Sequence, residues 1–322
     1  MKERILAVDI GGTKTSLMLA GPGSSREPVF TMPTEGDREP RELVREIVRA
    51  ARNLPGWTAR RVELVATGFP GALDPCSGRV RFAPNLRGWE NLVPGDLLGE
   101  AFGCPVLVEN DAGLATLAEW KLGAGSGCDD FVYITVSTGV GAGVVAGGRL
   151  LRGSGGLAGE VGHMILDPGG EPCGCGRRGC LETLASGPAL ARKARAYLSA
   201  GENSILGPDP DPPEILSAFR GGDPLAVRLI QALAGWLALG IPTLDVPVNP
   251  ARVALGGGLG LADPAILQLT RRALENLRPQ GQEAPLLMPA ALGSAAVLEG
   301  ALVLAGDPIK KPDDPGVPDQ KD

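Results

Sequence analysis

The sequence predicts an α/β protein built as two halves with a cleft between them. Short β-type runs alternate with amphipathic segments of helical length along the chain. A strand, a glycine turn and a second strand occur together twice, in "VDIGGTKTSLMLAG" and again in "VSTGVGAGVVAGG", which suggests a duplicated fold. With 322 residues, 43% of them hydrophobic, the chain is long enough to bury two cores.

"RILAVDI" (4–10) reads as a strand that ends in the turn Gly11-Gly12-Thr13-Lys14, and "TSLMLA" continues as its hairpin partner. In "EPRELVREIVRAARNL" (39–54), Leu43, Ile47, Val48 and Leu54 recur near a 3.6-residue period, predicting a helix. "VELVATG" and "PVLVEND" are strands that run into polar residues, and the helix "AGLATLAEWKLG" (112–123) is closed by glycine. "DFVYITVSTGVGAGVVAGG" (130–148) repeats the opening hairpin. Helices follow near 186–198, 212–220 and 223–240, then the strand "RVALGGG", then helices near 263–277 and 293–305. The expected division is a first domain, 1–112, completed by the helix at 293–305, and a second, 113–292. The tail 306–322, "GDPIKKPDDPGVPDQKD", has almost nothing to bury and is expected to be disordered.

A net charge of −6 with no dense Lys/Arg patch gives no field that would attract nucleic acid. The apolar run at the N-terminus is broken at Asp9, too early for a signal core, so a cytoplasmic protein is expected. The longest apolar stretch, "LIQALAGWLALGIPTL" from Leu229, carries Gln231 and Pro242 and reads as a buried helix too short for a bilayer; no membrane partner is expected. Six cysteines in such a chain do not make a disulfide framework, and Cys76, Cys104 and Cys128 read as small buried hydrophobes.

Two α/β halves place ligands in the cleft outside the strand ends. In "DIGGTK", Gly11 and Gly12 let backbone approach a charged group, Thr13 and Lys14 add a hydroxyl and a cation, and Asp9 can face a phosphate-bound metal ion. An ordinary hairpin turn explains the same letters. The second turn, at Thr138 and Gly139, allows two inward turns to clamp one polyphosphate. Gly256, Gly257 and Gly258 bring bare backbone to the cleft edge or form a flexible loop. In "LVEND", Asn110 and Asp111 stand where a strand meets a helix. Asp111 suits a rigid general base there, and it equally suits a helix N-cap.

The only histidine of the chain, His163, opens the spacing His-x9-Cys-x-Cys-x4-Cys. Together with Cys173, Cys175 and Cys180 it supplies one imidazole and three thiolates, the number and softness of a closed tetrahedral zinc site; free thiols are the alternative. Glu160 and Glu182 flank this loop. They are either solvated surface carboxylates or acceptors held rigid for neighbouring hydroxyls.

At these residues the chain resembles the ROK family of sugar kinases and repressors, which belongs with hexokinases to the actin-like ATPase (ribonuclease H-like) superfamily. The resemblance runs from residue 4 to about 305 and rests on "DIGGTK", "GFPG", "APNLRGW", "ENDA", "TVSTGVGAG", "GGLAGEVGH", "CGCGRRGCLE", "SGPAL" and "LGGG", in that order. It implies two actin-like domains around a cleft and ATP-dependent phosphorylation of a hexose 6-hydroxyl, glucose first among the candidates. N-acetylglucosamine, N-acetylmannosamine, fructose and mannose are the rival sugars. It further implies Asp111 as the base, with Asn85, Asn110, Asp111, Glu160, His163 and Glu182 at the sugar. Asp9, Gly11 to Lys14, Thr138, Gly139 and Gly256 to Gly258 would lie at ATP and Mg²⁺. Zinc would sit on His163, Cys173, Cys175 and Cys180, and the chain would form a homodimer or homotetramer. Family repressors carry a helix-turn-helix ahead of the first strand, for which a strand starting at residue 4 leaves no room. Ser137 stands where relatives often have Gly, and Gly113 where they often have Asn.

Overall fold

The computed structural model describes residues 4–21, 29–57, 62–277 and 284–306. The first half runs β1 (Ile5–Ile10), β2 (Lys14–Ala20), β3 (Phe30–Pro33), α1 (Pro40–Arg52), β4 (Leu64–Phe69), β5 (Ala72–Leu73), β6 (Val80–Phe82), α2 (Pro94–Phe102) and β7 (Val106–Asn110). Then come α3 (Asp111–Leu122) and the second half: β8 (Phe131–Val136), β9 (Val140–Ala146), β10 (Arg149–Leu150), α4 (Leu181–Ala185), α5 (Gly187–Ser199), α6 (Pro212–Arg220), α7 (Pro224–Gly240), α8 (Pro242–Asp245), β11 (Arg252–Gly256), α9 (Pro264–Glu275), β12 (Leu286–Pro289) and α10 (Ala296–Gly306).

Two five-stranded sheets result, ordered β3-β2-β1-β4-β7 and β10-β9-β8-β11-β12. In each, three strands form antiparallel pairs and two more add in parallel on the far side. The duplication expected from the two glycine-turn hairpins is therefore present strand for strand. Both sheets are covered on both faces, which explains why β1 and β8 read as almost continuous apolar runs rather than alternating ones. On one outer face α1 buries Leu43, Val44 and Ile47 against β1, β2 and β4 side chains; on the other, α5 to α9 bury the leucines of α7 against β8, β9 and β11.

Between the two sheets lie α3 and α10. Leu114, Leu117, Leu298 and Ala301 pack on Ile5, Ala7 and Ala66 of the first sheet, while Ala115 and Ala296 pack on Phe131, Tyr133 and Ala254 of the second. Small residues make this three-layer approach possible. A Cβ on Gly300 of α10 would overlap the Leu114 carbonyl oxygen of α3, and one on Gly68 of β4 would meet Val297 Cγ1 at 2.7 Å. Buried Glu119 locks the far end of α3 by accepting the Ala124, Ala291 and Leu292 N–H groups at 2.7 to 3.0 Å.

The helix expected at 39–54 is α1, that at 112–123 is α3, and those at 186–198, 212–220, 223–240, 263–277 and 293–305 are α5, α6, α7, α9 and α10, each within a few residues. The short elements β3, β5, β6, β10, α2, α4 and β12 went unread, since two to nine residues carry little periodicity. One expectation is corrected: Pro224–Asp245 is one helical stretch of 22 residues, long and apolar enough by composition to cross a bilayer. Its Leu225, Leu229, Ile230, Leu233 and Leu237 are buried in the second core, so it is a core helix. Cys76 is exposed rather than buried because it sits in the turn before β6, where its N–H donates to Asp74; Cys104 is half-buried and Cys128 buried. Of the tail expected to be disordered, Gly306 closes α10 and the remainder lies outside the described residues.

Alanine normally stabilises a helix interior by about 1 kcal/mol over glycine. Gly300→Ala is expected to do the reverse, lowering stability by about 1–3 kcal/mol, because the new methyl group meets backbone that cannot move aside. Thermal and denaturant unfolding check the sign; a gain in stability would show that α3 and α10 do not approach closely.

Candidate active site

The parallel strands β1, β4 and β7 all end on the same edge of the first sheet, bringing Asp9, Phe69 and Asn110 side by side. Chain direction then delivers Asp111 as the first residue of α3. The helix cap is Asn110, not Asp111: Asn110 Oδ1 accepts the Gly113 N–H at 3.0 Å, and its Nδ2 donates to the Gly71 carbonyl at 3.0 Å. An amide offers two donors and two acceptor sites, so each end of Asn110 keeps one for a ligand. Asp111 is thereby released from the capping role. Its Oδ1 accepts the Ala112 N–H at 2.8 Å.

Burial pushes the Asp111 carboxyl up to about 7, with the Asp9 and Glu160 charges adding to the effect and the Ala112 N–H opposing it. Burial likewise pushes Asp9 up to about 6, against the pull of Lys14. Glu160 is raised by burial too; Glu182 adds to this and His163 opposes it. Four carboxylates thus converge on one region, and two of them stand near neutral pKa. A site built this way is poised to accept a proton from a hydroxyl and to welcome a cation.

The two glycine turns face this region from the starts of β2 and β9. Gly11 N–H donates to the Lys14 carbonyl at 2.9 Å and Ser137 N–H to the Gly139 carbonyl at 2.9 Å, tight turns at corresponding places in the two halves, the first one residue longer than the second. Thr13, Lys14 and Thr138 are exposed. Asn85 is exposed as well and lies over the first turn, where a Cβ on Gly12 would meet Asn85 Cβ at 2.6 Å. Gly256 to Gly258 sit beside the second turn: Leu259 and Gly260 N–H both donate to the Val136 carbonyl, at 2.9 and 3.1 Å. Gly260 belongs to the same loop and was not singled out from sequence.

Glu182, in the first turn of α4, accepts the Val140 N–H at 3.1 Å through Oε2. It is half-buried and joined to the second turn, not a solvated surface carboxylate. Glu160 precedes a 3-10 turn, Val161–His163, that places His163 with its Nε2 3.8 Å from Glu160 Oε2. The opposite ring nitrogen, Nδ1, lies 3.6 Å from Cys173 Sγ.

His163, Cys173, Cys175 and Cys180 form a closed set whose donor atoms lie within 4.8 Å of one another. The Cys175 and Cys180 sulfurs are 3.7 Å apart, the separation that tetrahedral zinc–sulfur bonds of about 2.3 Å impose. Burial and the neighbouring sulfurs push the Cys180 thiol up to about 12, while Cys175, against its own burial, is pulled down to about 6 by hydrogen bonds from Arg177. The donor set fits zinc. Residues 163–181 fold as a tight loop around it: Cys173 N–H donates to the Arg177 carbonyl at 2.7 Å, and Leu181 N–H to the Met164 carbonyl at 2.9 Å.

Sequence reasoning did not single out Gly71, which holds Asn110, nor Glu109 and Arg152, which form an ion pair at 2.6 Å beside it. "GFPG" pointed to the first without a role. The second pair is 43 residues apart and leaves no local pattern.

Residues 5–307 match the ROK family. Among solved structures, the ROK hexokinase from Thermus thermophilus is 38% identical, with a TM-score of 0.79 over 93% of this chain and 97% of that one. A ROK family glucokinase from Streptomyces griseus, in complex with glucose and AMPPNP, is 33% identical with a TM-score of 0.81 over 92% and 97%. The N-acetylmannosamine kinase of Escherichia coli O157:H7 is 35% identical across 94% of this chain and 99% of its own length. With a family match over nearly the whole length and the two-sheet actin-like architecture observed directly, the chain belongs to the ROK family.

Proposed function

We propose that this protein is a sugar kinase that transfers the γ-phosphoryl group of ATP to the 6-hydroxyl of a hexose, with glucose as the first candidate. The observation that carries this reading is Asp111: a carboxylate free of capping duty, pushed to a near-neutral pKa, at the strand edge between two glycine turns. N-acetylmannosamine is the alternative sugar, since a relative that bears its name is as similar as those named for glucose or hexose.

Asp111 takes the proton of the 6-hydroxyl as that oxygen attacks phosphorus in line; the bond from phosphorus to the bridging oxygen breaks, and ADP leaves. Asn85, Asn110, Glu160, His163 and Glu182 hold the ring hydroxyls. The turns at Gly11 to Lys14 and at Thr138 and Gly139 hold the phosphates, with Gly256 to Gly258 at the nucleoside. Asp9 would hold Mg²⁺, which when bound neutralises developing charge on the phosphates. The two halves, 1–112 with 293–305 and 113–292, act as domains whose closure excludes water as a competing nucleophile. His163, Cys173, Cys175 and Cys180 would hold a structural zinc that fixes the loop between Glu160 and Glu182. We place the protein in the cytoplasm as a homodimer or homotetramer.

A coupled assay with ATP-Mg²⁺ and a panel of hexoses tests the reaction. Asp111→Asn is expected to cut turnover by about 10²-fold or more while sugar still binds, as loss of a general base does. Near-normal turnover would remove Asp111 from the mechanism.

The base works as carboxylate, and its folded pKa stands near 7. Activity in kcat/KM for sugar is therefore expected to rise about tenfold per pH unit up to about pH 7 and then level, the slope of one ionisation. A profile already flat between pH 5 and 7 would contradict a desolvated base.

Metal analysis is expected to find about one zinc per chain, the content of a single four-ligand site. Cys175→Ser should lose both metal and sugar affinity. His163→Gln, if three thiolates and a water retain the zinc, should weaken sugar binding alone, because the ring's second nitrogen points to the Glu160 side. Full zinc with unchanged sugar affinity in His163→Gln would show that the ring serves neither site.

A further inference from the structure

The segment 152–163 leaves the second half after β10, crosses toward the first half, and returns carrying Glu160 and His163. Its crossing is held by contacts with β5 and β7. Gly156 (φ 72°) lies so close to the Leu73 carbonyl oxygen that a Cβ there would overlap it. At the start of the segment, Arg152 Nε donates to Glu109 Oε2 of β7 at 2.6 Å, and Glu109 is only 11% exposed. The other carboxylate oxygen, Glu109 Oε1, accepts the Asn110 N–H at 3.0 Å. A continuous path therefore runs from Arg152 through Glu109 to the backbone of Asn110, whose side chain caps α3 and holds Gly71.

Glu109, Asn110, Gly113, Arg152 and Glu160 also line one cavity of about 110 Å³. Gly113 shapes it: a Cβ at this position would stand 3.3 Å from both Glu109 Cγ and Oε1, tight enough to press on the carboxylate. With no side chain at position 113, Glu109 has the room to meet Arg152.

We propose that Glu109 and Arg152 are a pair of positioning residues that fix the sugar-facing groups of the two halves relative to each other. This rests on the sugar-kinase reading. Neither side chain is assigned a contact with the reacting atoms. Glu109 sets the strand end that presents Asn110 and Asp111, Arg152 sets the segment that presents Glu160 and His163, and their charge-assisted bond couples the two across the cleft. The phosphate turns have no part in this path. The pair should therefore affect the sugar and not the nucleotide.

The test compares Arg152→Met, Glu109→Gln, the double variant and Arg152→Lys with the unmodified protein. Apparent Michaelis constants are measured for ATP and for glucose and N-acetylmannosamine, with calorimetric sugar binding in the absence of nucleotide. Each single loss is expected to raise the sugar constant about tenfold, within the roughly 10²-fold that a misplacement of about 1 Å can cost, and to leave the ATP constant within about twofold. The double variant should be no worse than either single, as two residues acting only through each other behave. Arg152→Lys, which keeps the charge, should recover part of the affinity. If Arg152→Met fails to fold with an unpaired carboxylate inside, the double variant, which has no buried charge, carries the comparison. Unchanged sugar constants, equal losses toward sugar and ATP, or effects that multiply in the double variant would overturn the pairing. Failure of the unmodified protein to bind or phosphorylate any sugar would instead overturn the functional reading itself, a separable result.

Discussion

The close approach of α3 to both sheets is the constraint on which the rest of the molecule depends. A helix of ordinary side chains would hold the sheets too far apart for β1, β7, β8 and β9 to present their ends to one space. Here Ala112, Ala115 and Ala118 on the helix are buried, and the bare Gly68 on β4 and Gly143 on β9 make room for Leu114 and Thr116 of the helix to lie directly on the two strands. Helix packing distance varies with the size of the residues at the contact, and small residues bring elements together. The consequence at the site is direct: the first turn of α3 lies where Asp9 and Glu160 can both raise the pKa of Asp111.

That convergence is electrostatically costly, and the cost says what the site is for. Asp9, Asp111 and Glu160 are each raised by burial, and each has another carboxylate or a single basic group as its main neighbour. A fold that only needed to be stable would place apolar groups there. Three carboxylates that share only Lys14 and His163 as basic neighbours among the groups that shift them fit a site completed by a divalent ion, by hydroxyl donors, or by both. Glu182 differs, because its Oε2 is tied to the Val140 N–H at the second turn. One side chain thus joins the carboxylate cluster to the second glycine turn.

Much of this was legible in the sequence, for identifiable reasons. The hairpins at 4–20 and 130–146 were readable because a tight turn needs glycine and buried strands need unbroken apolar runs. The clustering of His163, Cys173, Cys175 and Cys180 was readable because the four residues lie within one short loop, so spacing in sequence implies nearness in space. Sequence does not separate base from cap at Asp111 because both call for a carboxylate at a helix start; Asn110 Oδ1 on the Gly113 N–H gives the capping role to Asn110. Glu109 with Arg152, and Glu119 with residues 291 and 292, were beyond sequence reading: their partners are 43 and about 170 residues away, and nothing local marks them. Long-range polar contacts are a product of the fold rather than a signal for it.

The division between glycine backbone and side chains also bears on why relatives differ in sugar while sharing architecture. The two glycine turns are backbone loops, so their geometry survives wide change in side chains. Asn110, Asp111, Glu160, His163 and Glu182 are side chains on three separate segments, β7 to α3, residues 152–163 and α4, and the space among them shifts when any one segment shifts. A hexokinase, a glucokinase and an N-acetylmannosamine kinase stand between 33% and 38% identity to this chain, a range too narrow to rank sugars. Discrimination of one hexose from another rests on one or two hydroxyls or a substituent, worth a few kcal/mol at most in a pocket of fixed shape. In this chain the space that can express such a difference is the cavity beside Asn110 and Glu160, whose walls are set by the bare Gly113 and by the Glu109–Arg152 pair. The Glu109–Arg152 pair, outside every recognisable motif, therefore shapes the walls beside Asn110 and Glu160, the residues that the proposed reaction places at the sugar.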